Sequence, residues 1–224
     1  MIIVPSIIAQ DFLDVEYKIK QLGTAATWVH LDIVDGEFAS PASWPFTQDD
    51  VDEEIKQLGD LPMTPKVGLH LMVTDPQEYL DEWMDTPVSR IIIQYESPEH
   101  TQNALAVLDM SKVESGIVLG LDTPISVLAE FPEKIKFVQL MSISKIGHYG
   151  EHFQDEVIEK VKQARKLYPN ITISVDGGVK EEHLKLLAKA GADQVVMGSA
   201  IFEASDPGAE LKRLQESYLN NGSR

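Results

Sequence analysis

The chain has 224 residues, 43% hydrophobic and 25% charged, enough for one sizeable core in a globular domain. Thirty-six acidic against nineteen basic residues leave a net charge of −17, which repels polyanions and argues against nucleic acid as a partner. With no cysteine, disulfides, thiolate nucleophiles and sulfur-ligated metal sites are excluded, so any metal must be held by nitrogen and oxygen.

The first residues, MIIVPSIIAQDF, lack the basic stretch and long apolar run of a secretory leader and read as part of the fold. No apolar run approaches the ~18 residues that span a bilayer, so a cytoplasmic protein without a membrane partner is expected. From there, short β-branched runs recur along the chain at Ile2–Pro5, Trp28–Ile33, Val67–Met72, Arg90–Gln94, Gly116–Leu119, Phe137–Met141, Ile171–Val175 and Gln194–Met197. Each precedes a stretch with helical spacing, beginning near Asp11, Asp49, Pro76, Pro98, Pro124, Gln154, Lys180 and Ala204. Several of these starts carry proline or an acidic residue, as a first helical turn favours.

Eight β–α units at about 28 residues each match a single compact (β/α)8 TIM barrel, with a doubly wound α/β sheet as the alternative. No linker or low-complexity tract divides the chain, so residues 1–224 form one expected domain, with the polar stretch Asn220–Arg224 as a frayed tail. The longest segment outside strand and helix is Asp35–Gln48, directly after the second strand, where a barrel places active-site loops.

Side chains alternate along a strand, so His30 and Asp32 in WVHLDIVDG point to the same face. Buried imidazole and carboxylate need hydrogen-bond partners or a cation. His70 in VGLHLMV repeats the feature on the third strand, Asp176 ends the seventh, and Ser6 ends the first, so five polar side chains converge on one mouth of a barrel. Two imidazoles and two carboxylates form an N/O donor set suited to a divalent ion such as Zn, Fe, Mn or Co, among which composition does not choose. Two carboxylates at one site also suit acid and base on opposite faces of a carbon.

Gly177 and Gly178 follow Asp176, and Gly198 and Ser199 follow the eighth strand. Bare backbone N–H groups are thereby placed in the two loops where barrels commonly take phosphate, although glycines after strands also serve simply as turns. Met72 and Met141 face the same mouth from strands three and six, where methionine is usually core filler. His100 and His183 read as structural.

The motifs PSIIAQDF, HLDIVDGEF, LHLMVTDPQEYL, LMS at Met141, VDGGV and GSAIF, in order from residue 5 to 202, resemble the ribulose-phosphate 3-epimerase family. The resemblance implies a barrel of the ribulose-phosphate-binding type and a divalent metal held by His30, Asp32, His70 and Asp176, with no organic cofactor. It further implies that Asp32 and Asp176 exchange the C3 proton of a ketose phosphate through an enediolate, that Ser6, His70, Met72 and Met141 contact the substrate, and that the assembly is a homo-oligomer. The expected reaction is D-ribulose 5-phosphate to D-xylulose 5-phosphate, a step of the pentose phosphate pathway. The alternatives are a hexulose 6-phosphate substrate or a sugar-phosphate binder that has lost activity.

Departures from the family pattern lie around that inner set. Where the family carries an NPGFGGQ-type loop, this chain reads SISKIGHYGEHF, in which Gly147 and Gly150 keep part of the turn while Lys145, His148, Tyr149 and Glu151 add bulk. Glu37–Pro41 reads EFASP for the typical HFVPN, Gln94 stands where a histidine is typical, and Gly120-Leu121 where Asn-Pro is typical. These changes put the sugar's identity in question more than the chemistry.

Overall fold

The computed structural model describes residues 1–131, 136–147 and 150–221. Eight parallel strands, β1 (Ile2–Ile7), β2 (Trp28–Val34), β3 (Lys66–Met72), β4 (Arg90–Gln94), β5 (Glu114–Leu119), β6 (Phe137–Met141), β7 (Thr172–Asp176) and β8 (Gln194–Met197), close in chain order into a barrel. All eight sequence-derived strands are present, with ends differing by at most two residues.

Around them run α1 (Phe12–Leu22), α2 (Val51–Lys56), α3 (Leu80–Met84), α4 (Thr101–Asp109), α5 (Glu156–Leu167), α6 (Glu181–Ala190), α7 (Ser199–Phe202) and α8 (Pro207–Asn221). Asp11 and Asp50 cap α1 and α2 by accepting from the N–H groups of Asp14 and Glu53. Two expectations are corrected. After Pro124 the chain makes a 3₁₀ turn, Ile125–Glu130, rather than an α-helix; it buries only Ile125 and Leu128, too short an apolar face for a longer helix to use. Ahead of α8 the chain inserts α7 directly behind β8.

The strands alternate cleanly. Ile3 and Ile7, Val29, Leu31 and Ile33, Val67, Leu69 and Leu71, Ile91 and Ile93, and their counterparts on β5 to β8 point outward into one core shared with the helices. The inward residues form a second, small apolar cluster of Ile92, Val118, Phe137, Met141 and Ile143. Apart from the apolar Val4, Val34, Met72 and Val196, many of the remaining inward positions are polar, among them His30, Asp32, His70, Arg90, Gln94, Gln139, Ser174, Asp176 and Gln194, all buried.

The barrel floor is closed by Arg90. Its guanidinium lies 4.3 Å from the Trp28 ring centre and 3.9 Å from that of Phe137, and it bonds to Glu114 at 2.9 Å. Among the described residues no helix is long and apolar enough to cross a membrane.

Candidate active site

In-register pairing sets Ser6 beside His30, Asp32 beside His70, and Met141 beside Asp176, at the C-terminal ends of neighbouring strands. The consequence is a tight polar group. His70 Nδ1 and His30 Nε2 each lie 3.2 Å from Asp32 Oδ1, His30 Nε2 lies 3.8 Å from Asp176 Oδ2, and the two rings are 5.5 Å apart. One donor atom from each of His30, Asp32, His70 and Asp176 falls within 4.8 Å of all the others.

Among the described residues the buried Nε2 of His30 has no hydrogen-bond partner, its 3.2 Å approach to Asp32 lacking the required alignment. A buried nitrogen left unpaired among carboxylates is what a cation-binding cradle requires, and two imidazoles with two carboxylates suit a borderline divalent metal.

The two carboxylates are held in different states. Burial opposes the charge of Asp32, yet His30 and then His70 outweigh it and bring Asp32 down to about 2. For Asp176, burial and then repulsion from Asp32 push the carboxyl up to about 6. Burial also works against a charged His30, but Asp32 and Asp176 outweigh it and raise its pKa.

Two polar chains brace the group from below. Arg90 donates to Gln194 Oε1 at 3.3 Å, Gln194 to Ser174 Oγ at 3.4 Å, Ser174 to Gln139 Oε1 at 3.2 Å, and Gln139 to Asp176 Oδ2 at 3.0 Å, all in one direction. On the other side His70 meets Gln94, and Gln94 meets Glu96. Sequence reasoning missed Gln139 and Glu96 and took Gln94 only as a departure. The available signal was a lone amide at an inward position of the apolar strands RIIIQ and FVQLM.

Above the four side chains opens a cleft of about 520 Å³, mouth included, lined by Ser6, Asp32, Met72, Met141 and Asp176. Gly147, Gly150, Gly177, Gly178, Gly198 and Ser199 complete its wall, so the structure brings the sequence-derived candidates to one place, with His30 and His70 packed beneath. Asp35 ties two rim loops together by accepting from the N–H groups of Glu37 and Phe38 at 2.8 Å and of Thr74 at 2.6 Å. The loop after β2 turns back into the core through buried Trp44, whose indole donates to Glu54 at 2.7 Å.

His183 accepts from the Lys180 N–H at 3.0 Å and stacks on Phe153, and His100 bonds to Asp75 at 2.8 Å, structural partners for both. His148 and Tyr149 lie outside the described residues.

An eight-stranded barrel with His30, Asp32, His70 and Asp176 gathered toward the C-terminal strand ends defines a (β/α)8-barrel enzyme. The chain belongs to the ribulose-phosphate 3-epimerase family, whose model matches residues 2–202, and it is therefore an isomerase of the epimerase kind acting on carbohydrates.

It is 28% identical to ribulose-phosphate 3-epimerase of Schizosaccharomyces pombe, over 97% of this chain and 93% of the relative. It is 29% identical to that of Escherichia coli, over 92% and 90%. Among solved structures it resembles KGPDC from Streptococcus mutans in complex with D-R5P (TM-score 0.73, 13% identity, 97% of each chain). It also resembles 3-hexulose-6-phosphate synthase from Salmonella typhimurium (TM-score 0.66, 15% identity, 98% of this chain and 99% of that one). At such identities the structural likeness concerns the fold.

Proposed function

We propose that the protein converts D-ribulose 5-phosphate to D-xylulose 5-phosphate by moving the proton at C3, with a divalent metal held by His30, Asp32, His70 and Asp176. The observation that carries this reading is geometric: two carboxylates share one metal-sized donor set in unequal surroundings, Asp32 lowered by His30 and His70, Asp176 raised by burial and by Asp32. Epimerisation needs that inequality, one group ready to take a proton and one ready to return it.

Asp32, ionised beside two imidazoles, takes the C3 proton. Asp176, which keeps its proton more readily and is aimed by Gln139 at 3.0 Å, returns one to the opposite face. A divalent cation in the cradle would stabilise the negative charge that develops on the substrate oxygens. Met72 and Met141 wall the reacting carbons from water, and Ser6 orients the sugar. The N–H groups around Gly177, Gly178, Gly198 and Ser199 take the phosphate against an adverse overall charge, with the loop through Gly147 and Gly150 above them.

Metal-loaded protein in deuterated water is expected to wash deuterium into C3 of ribulose 5-phosphate. No exchange with Zn²⁺, Mn²⁺, Fe²⁺ or Co²⁺ would reject the proposal. A kcat/KM on hexulose 6-phosphates above that on ribulose 5-phosphate would keep the chemistry and replace the substrate.

A further inference from the structure

Gln94 ends β4 fully buried, and its side chain touches His70, with His70 Nε2 lying 2.8 Å from Gln94 Oε1. An amide can turn end for end without changing shape, so the end facing His70 is decided by what holds the other. Here that is Glu96, whose Oε2 lies 2.5 Å from Gln94 Nε2. A carboxylate accepts and does not donate, so Gln94 gives its NH₂ to Glu96 and turns its carbonyl oxygen to His70. The carbonyl can only accept, which puts the His70 proton on Nε2. In a neutral ring His70 Nδ1 is then bare and faces Asp32 Oδ1 at 3.2 Å, a contact that needs a shared proton or a cation between the two atoms.

Glu96 is itself held in place. Its Oε1 accepts from the Gly120 N–H at 2.8 Å and from the Thr123 hydroxyl, and the Lys160 ammonium, bonded to the carbonyl oxygens of Gly120 and Leu121, attracts it. A Cβ at position 120 would stand 2.8 Å from Glu96 Oε1, so glycine there leaves the carboxylate its place. The departures at Gln94 and Gly120, separate in the sequence, therefore meet at one carboxylate.

We propose that Gln94 is a positioning residue for the metal: clamped by Glu96, it locks His70 with its proton on Nε2 and presents Nδ1 to the cation. The inference rests on the metal site proposed above. Its sharpest test is Glu96→Gln, which is isosteric and removes no contact with His70. The amide introduced at 96 either leaves the Gly120 N–H without its acceptor or forces Gln94 to turn over, offering NH₂ to His70 and driving the proton onto Nδ1. In the double variant Gln94→Glu/Glu96→Gln the new carboxylate again accepts from His70 and from the amide at 96, which restores the original direction.

Titration with Co²⁺, followed by its visible spectrum and by chelator competition, is expected to show Kd raised roughly 10–100-fold in Glu96→Gln and Gln94→Leu, with most of the loss recovered in the double variant. Long-range ¹H–¹⁵N correlation of the Zn²⁺-bound, ¹⁵N-histidine-labelled protein should place the His70 proton on Nε2 in wild type and the double variant. A role confined to stability would lower Tm in the single variants and leave Kd and the His70 spectrum unmoved. Metal binding by wild type with both single variants within twofold of it, or with the proton of wild-type His70 on Nδ1, overturns the inference alone. No metal binding by wild type overturns the proposed function with it.

Discussion

Replacing Gly178 by alanine tests how firmly the loop after β6 is packed over the cleft. Gly178 sits at φ +61°, the left-handed region, where a side chain costs about 1–2 kcal/mol. Its Cβ would stand 2.5 Å from the Glu151 carbonyl oxygen, 2.6 Å from the Phe153 nitrogen and 3.1 Å from the His152 carbonyl carbon. All three are backbone atoms, and comfortable contacts begin near ~3.5 Å, so the loop has to retreat by about an ångström.

It has little freedom to do so. Ser142 bonds through its N–H to the Asp176 carbonyl at 2.7 Å, Gln154 bonds back to Ser142 at 2.8 Å, and Phe153 stacks 3.9 Å from His183. Overpacking of this kind costs about 1–3 kcal/mol, which with the backbone cost gives roughly 2–5 kcal/mol. At about 2–4 °C per kcal/mol for a chain of this size, Tm should fall on the order of 10 °C. Gly150→Ala, at φ +84° with nothing among the described residues within 4 Å of its Cβ, carries only the backbone cost and serves as the control. Thermal unfolding of both variants, with KM for ribulose 5-phosphate, decides the matter. If Gly178→Ala melts no lower than Gly150→Ala and keeps its KM, the loop does not rest on Gly178.

Asp32→Asn and Asp176→Asn should each lower kcat by about 10²–10⁴-fold, read by deuterium wash-in, and a near-normal rate in either would break the two-carboxylate scheme. In metal-free protein Asp176, raised to about 6, keeps a proton that the unfolded chain releases near 3.8, so its contribution to stability is lost as pH rises through that interval. Asp32, lowered to about 2, works the other way, contributing fully above 3.8 and losing its effect as pH falls toward 2. Urea midpoints of chelator-treated protein between pH 4 and 7 should therefore show a decline that Asp176→Asn flattens. Equal slopes in both proteins would show that Asp176 does not carry the effect. At the floor, Arg90→Lys keeps a cation but loses the flat guanidinium stacked on Trp28 and Phe137. It should cost on the order of 1–2 kcal/mol in chemical denaturation, whereas wild-type stability would show the stacking to be idle.

The barrel was legible because its signals are local. Each strand is a short β-branched run whose alternate residues face the helices, as Val29, Leu31 and Ile33 do, and Asp11 caps α1 within four residues of its own sequence. What failed was equally local in cause. Pro124 marks the start of a turn but cannot say whether it continues as α or 3₁₀, since the outcome depends on how much apolar face Ile125 and Leu128 can bury. The helix α7 is four residues long, below the length at which periodicity can be seen.

The inner site was legible for a different reason: a charged or imidazole side chain at an inward strand position costs too much to be incidental, so His30, Asp32, His70 and Asp176 announce themselves one strand at a time. Its support could not be read in that way. Gln94, Glu96 and Gly120 are each unremarkable in sequence, an amide, a half-buried acid and a glycine on two neighbouring strand ends, and their joint effect exists only once β4 and β5 pair Gln94 against Val118. The same holds for Gln139, whose contact with Asp176 crosses from β6 to β7. Ligands are specified by residue type, whereas the orientation of a ligand is specified by hydrogen-bond direction, which propagates across strands. On the proposal above, a member of this family keeps the four inner side chains and changes how one of them is aimed: Gln94 stands where the resemblance implies histidine, and glycine at 120 makes room for Glu96.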